Sequence, residues 1–155
     1  MKRSPNGFTL IELLVVIVIG SVLVGITLSG FQGAQSAFAV RGAKTMYATL
    51  HQLARARSIE SGTTNFLIVD SNGDSAFIVG VGGVTDVTHF RRDLNVDMRS
   101  TPARFRICMT PRGYADPECP AVADTGISVP VTLEFWQNAD STSVILLPMG
   151  QLVGM

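Results

Sequence analysis

Hydrophobic and polar positions divide this chain into three regimes. In residues 7–30 nearly every position is apolar, and Glu12, close to the start, is the one charge. The run is long enough to span a bilayer core, which takes roughly 20 residues. A carboxylate in such a segment is costly and points to function when a partner can be named for it. A short polar leader with Lys2 and Arg3 precedes the run. Those two charges favour a cytoplasmic N-terminus, with the rest of the chain facing outward.

From Phe31 the apolar pattern becomes periodic. Ala39, Ala43, Met46, Leu50, Leu53 and Ala54 recur at three- and four-residue spacing, while Arg41, Lys44, His51 and Arg55 fall on the opposite side. That is one stripe of an α-helix. The pattern predicts a helix that leaves the membrane and lays its second half on a globular domain. Ser61-Gly62 is its stop, because glycine accepts the left-handed conformation after a helix end. Gly25, Gly30 and Gly33 are weak points, each costing about 1 kcal/mol of helix against alanine.

After Gly62 the pattern is that of strands. Residues 63–69 are rich in β-branched and aromatic side chains, 70–74 form a polar turn, and 76–81 return, so the stretch reads as a hairpin. The continuous apolar runs in both arms predict strands covered on both faces. In residues 104–109, Phe105, Ile107 and Met109 share one face and Arg104, Arg106 and Cys108 the other. Val129, Val131, Leu133 and Phe135 alternate with Pro130, Thr132, Glu134 and Trp136, which puts Trp136 on the outward face. A turn at 138–141 and a return strand from Ser143, resuming near Gln151, complete the series. One long helix followed by many short strands predicts an α+β fold with an antiparallel sheet or a small β-sandwich.

Length suits one globular domain beside the apolar segment. The formal net charge is zero, which removes any global signature for nucleic acid. The charge is uneven, though: residues 31–112 hold ten basic and six acidic side chains, and residues 113–155 hold five acidic and no basic ones. Cys108 and Cys119 fall in the outward-facing part, where an oxidising compartment makes them candidates for a disulfide worth about 3 kcal/mol. Two free buried thiols are the alternative.

Gly7-Phe8-Thr9-Leu10-Ile11-Glu12, followed by Leu13-Leu14-Val15-Val16-Ile17, resembles the class III signal of type IV prepilins and type II secretion pseudopilins. The resemblance implies a pilin-like fold, cleavage between Gly7 and Phe8 by a prepilin peptidase and N-methyltransferase, and methylation of Phe8. It implies three parts: a leader at 1–7, a transmembrane and assembly helix at 8–30, and a periplasmic domain at 31–155. It also implies a role for Glu12. An incoming subunit would bring this carboxylate into apolar surroundings, where an unpaired charge is expensive, and the Phe8 amine of a neighbouring pilin subunit would pair with it. Families of this kind often carry a Leu-Pro pair late in the apolar half; here the place reads Leu28-Ser29-Gly30. Arg55-Ala56-Arg57-Ser58, the strand after it and Pro148-Met149-Gly150-Gln151 resemble minor pseudopilins of the H type and related minor pilins. Some of those bind DNA through basic residues after the terminal glycine, but residues 151–155 contain none.

Two other readings of the N-terminus stay open. Ala37-Phe38-Ala39 has the form of a secretory cleavage site, although it lies beyond the end of the apolar run at Leu28. A plain membrane anchor without assembly is the other. Further along, Asp70-x-Asn72-x-Asp74 begins like a calcium loop but lacks the downstream glutamate, so a hairpin turn is preferred. His51 and His89 have no nucleophile motif beside them. No catalytic constellation, metal or cofactor is implied. Arg91, Arg92, Arg104 and Arg106, with Arg99 and Arg112, make the densest basic region. It reads either as a solvated face balanced by Asp93 and Asp97 or as an interface, with Trp136 as a contact residue. Its partner would be the acidic C-terminal third of a neighbouring subunit or, in a minor pilin for DNA uptake, nucleic acid.

Overall fold

The computed structural model describes residues 9–117 and 129–154, with the side chains of all of these except 27–32. The chain divides into two compact units, residues 1–35 and residues 36–155. Helix α1 (Leu10–Ser61) begins in the first and ends in the second, and it stays helical through Gly25, Gly30 and Gly33.

In the first unit the described apolar side chains of α1, in residues 10–26, are exposed. Leu10 is 84 % exposed, Ile26 is 66 % exposed, and the aliphatic residues between them are exposed in every direction around the helix. A helix apolar all round belongs in lipid or in a bundle of other helices.

The second unit is built on the other half of α1. Its buried seam is Val40, Ala43, Tyr47, Leu50 and Ala54. This corrects the stripe expected from the sequence. Met46 is 40 % exposed, and His51, expected in solvent, is 2 % exposed. Ala43, Leu50 and Ala54 of the expected stripe lie in the core and Ala39 and Leu53 pack against it, so Met46 alone departs, and spacing does not choose between Met46 and Tyr47. The seam is decided by Tyr47, whose ring lies 6.1 Å from that of Phe135 and fills the core. The helix stops where expected, with Gly62 at φ +64°. There Ser58 Oγ donates to the Ala54 carbonyl (3.0 Å) and accepts from the Asn65 amide (3.2 Å), fixing the helix end to the first strand.

Strands β1 (Asn65–Asp70), β2 (Ser75–Gly80), β3 (Gly83–His89), β5 (Arg104–Met109) and β6 (Ala115–Asp116) form one sheet in the order β3-β2-β1-β5-β6. Strands β4 (Asp97–Ser100), β7 (Val131–Gln137), β8 (Asp140–Leu146) and β9 (Leu152–Val153) form a second in the order β4-β7-β8-β9. All described pairings are antiparallel. A short helix, α2 (Phe90–Leu94), links β3 to β4. The β1–β2 hairpin is present as expected. Its turn is held by Asp70 Oδ1, which accepts from the amides of Asn72 (3.1 Å) and Gly73 (3.3 Å). Asp74 ties the turn to the second sheet: its Oδ1 accepts from the Met98 amide (2.7 Å) and its carbonyl from Phe90 (2.8 Å).

Two burial expectations change. In β1, Leu67 and Val69 are fully buried but Phe66 and Ile68 only half, so the hairpin is deeply covered on one face. In β5 the reverse holds: Phe105, Ile107 and Met109 enter the core, and Arg106 and Cys108 on the other face are buried too. The second sheet follows its alternation, with Val131, Leu133 and Phe135 inward and Thr132, Glu134 and Trp136 outward. Val129 lies before the strand and is exposed. The C-terminal segment returns to β6, where the Ala115 amide donates to the Met149 carbonyl (3.3 Å). Gly150 has φ +76° there, and a side chain on it would meet the Ala115 Cβ at 2.6 Å. Only glycine lets the backbones approach this closely.

Candidate functional site

The start of α1 is set by two side chains three residues apart. The Glu12 amide donates to Thr9 Oγ1 (3.3 Å), and the Thr9 amide donates to Glu12 Oε2 (3.4 Å). This reciprocal arrangement is a capping box, which satisfies two backbone donors that a helix start otherwise leaves free. It also places a carboxylate at the positive end of the helix dipole. Glu12 is therefore held at the first turn, exposed, with unused lone pairs turned to its surroundings. The capping signal is legible in the sequence as Thr-x-x-Glu before an apolar run, and it gives Glu12 a local role beside that of a lone carboxylate. Gly7 and Phe8 lie outside the described residues. Among the described residues no helix is long and apolar enough to cross a membrane.

Three arginines of the basic region face carboxylates of the chain. Arg91 Nε lies 3.0 Å from Asp97 Oδ1, Arg92 Nε lies 2.9 Å from Asp93 Oδ1, and Arg104 Nη1 lies 3.8 Å from Asp70 Oδ2. The Arg92 hydrogen bond, helped by the His89 amide, holds Asp93 below the ordinary carboxylate value. Arg106 is not part of such a surface. It is 5 % exposed, with its guanidinium 5.4 Å from the centre of the Phe66 ring. Alternation along β5 fixes its face, but packing decides whether that face meets solvent. Trp136 is outward and 39 % exposed. Cys108 is buried and disulfide-bonded; Cys119 lies outside the described residues.

His51, expected on the solvent side of the helix, is buried. It faces a depression lined also by Arg55, Tyr114 and Gly150. Neither ring nitrogen reaches hydrogen-bond geometry. Burial, then the charge of Arg55, pushes its pKa down to about 4, opposed by the nearby Gly150 backbone. An unfolded chain binds this proton near pH 6.5, the ordinary histidine value. The folded chain binds it only near pH 4. Stability is thus fully present above pH 6.5 and falls as pH drops towards 4, by about 3 kcal/mol. Denaturant unfolding at about pH 7.5 and about pH 4.5 should show this drop in the wild type and a smaller one in His51→Leu. An equal drop in both would assign the acid sensitivity elsewhere.

Residues 2–28 fit the family model described as the prokaryotic N-terminal methylation motif. No curated protein and no solved structure matches the chain. The chain thus carries a type IV pilin-like prepilin signal at its N-terminus, joined to an α+β, pilin-like layout of helix and antiparallel sheets.

Proposed function

We propose that this chain is a minor pilin or pseudopilin, a non-enzymatic structural subunit of a type IV pilus or type II secretion pseudopilus. The leader 1–7 is removed at Gly7, Phe8 is N-methylated, and residues 8–30 hold the chain in the inner membrane with the 31–155 domain in the periplasm. From there the subunit is extracted into a filament through its helix, with Glu12 answering the Phe8 amine of a neighbour. The observation that carries this reading is the methylation motif at residues 2–28, which runs into a helix whose apolar side chains are exposed all round. Resemblance at residues 55–58 and 148–151 supports an H-type minor subunit. A DNA-uptake role finds less support, because Arg91, Arg92 and Arg104 each already face a carboxylate.

The same reading puts Cys108 in a disulfide with Cys119, the one other cysteine. Intact-mass analysis of membrane-purified protein, alkylated without reduction, tests both points. It should show loss of residues 1–7, one added methyl group and no alkyl adduct. A chain beginning at Val40 would mean ordinary signal-peptide cleavage, and two adducts would mean free thiols.

A further inference from the structure

The outward face of the second sheet carries a groove that neither the N-terminal signal nor the core uses. Antiparallel register sets Arg99 of β4 opposite Glu134 of β7, and Glu134 opposite Ser143 of β8. One row along, Trp136 stands opposite Ser141. Side chains alternate across a strand, so these residues share the face turned away from buried Leu133, Phe135 and Val144. With Thr142 they line a depression of about 400 Å³. A second depression of about 300 Å³ continues it past Ser100, Pro130 and Thr132, and Arg99 and Glu134 line both.

The polar groups here are unspent. Arg91, Arg92 and Arg104 each face a carboxylate of this chain. Arg99 and Glu134, although directly opposite, make no ion pair or side-chain hydrogen bond among the described residues. Beside them stand the hydroxyls of Ser141 and Ser143 and the half-exposed indole of Trp136.

This set selects among ligands. Glu134 opposes a polyanion. An apolar helix seated here would bury Arg99, Glu134 and the hydroxyls without partners, a desolvation cost for each polar group. A neutral polyhydroxylated chain meets every group: its hydroxyls donate to the carboxylate and accept from the guanidinium. The C–H face of a ring then covers the indole, an aromatic surface with a single polar edge. Two depressions joined at one Arg–Glu pair suit at least two linked rings, and their size is that of small-molecule sites. We propose that this groove binds a neutral saccharide chain, with Trp136 stacked on one ring and Arg99 and Glu134 bonded to hydroxyls where two rings meet. The proposal is independent of the assembly reading.

Trp136 is the one tryptophan in the chain, so its fluorescence reports this groove directly. The full chain, in a detergent without a sugar headgroup, would be titrated with three hexasaccharides: β-1,4-linked glucose, β-1,4-linked N-acetylglucosamine and α-1,4-linked glucose. At least one should give a saturable change in emission. Arg99→Ala and Glu134→Gln, both exposed positions, should each weaken it at least about tenfold. Thr85→Ala on the other sheet should leave it unchanged. No saturable change with any of the three overturns the proposal, and so does a change that survives both groove substitutions. A response to added copies of the chain, with none to the saccharides, overturns it in favour of a subunit contact.

Discussion

Glu12→Val should leave the chain cut and methylated yet reduce its recovery in sheared filaments at least about tenfold. Cleavage needs Gly7 presented to the peptidase, and insertion needs the apolar run with its Lys2 and Arg3 flank. Neither step uses a carboxylate at position 12. Assembly does, in the proposed pairing, because the variant leaves the Phe8 amine of a neighbour charged and unpaired in an apolar core. Removing one member of a buried pair costs about 3–5 kcal/mol, which is more than a factor of ten in an equilibrium. The capping box adds a complication, since Glu12 also accepts from the Thr9 amide. Losing a cap costs about 1 kcal/mol, too little for the expected defect. Glu12→Gln separates the two roles, because glutamine completes a capping box but brings no charge. It should be processed normally and still fail to assemble. Full incorporation of Glu12→Gln would assign the residue to capping alone, equal incorporation of Glu12→Val and wild type would remove its assembly role, and absence of wild type from the filaments would leave a plain membrane anchor.

What could be read beforehand were features governed by near neighbours. The apolar run, the Gly62 stop, the hairpin turn at 70–74 and the alternation of β7 each depend on a few adjacent residues. What could not be read depends on packing between distant ones. Met46 and Tyr47 both extend a credible helical stripe, and contact with Phe135 of another element decides for Tyr47. His51 looks like a surface residue until the C-terminal segment around Gly150 closes over it. Arg106 sits on the expected face of β5, but alternation carries no information about what lies above that face. The groove required knowing that β4 pairs with β7, which sets Arg99 across from Glu134 despite their distance in sequence. The capping box is the opposite case, a local signal at Thr9 and Glu12.

The orientation of α1 on its sheets makes the second large prediction. Leu50 is buried in the core cluster with Ala43, Tyr47 and Ala54. Leu50→Asp removes a packed side chain, worth about 2–5 kcal/mol, and puts a carboxyl where it must either stay protonated or be buried charged. The thermal midpoint should fall by on the order of 10 °C or more. Met46→Asp introduces the same group one turn away, at a position 40 % exposed. There the carboxylate keeps its water, and the cost should stay within about 1 kcal/mol, set mainly by helix propensity. Should Leu50→Asp fail to fold at all, Leu50→Ala supplies the graded comparison with Met46→Ala. The expected and observed stripes share Leu50 and differ at Met46, so the methionine variant discriminates between them. A large loss at both positions would restore the stripe through Met46 and rotate the helix away from the Tyr47–Phe135 contact. A loss confined to Leu50 leaves Met46 on the outer side of α1.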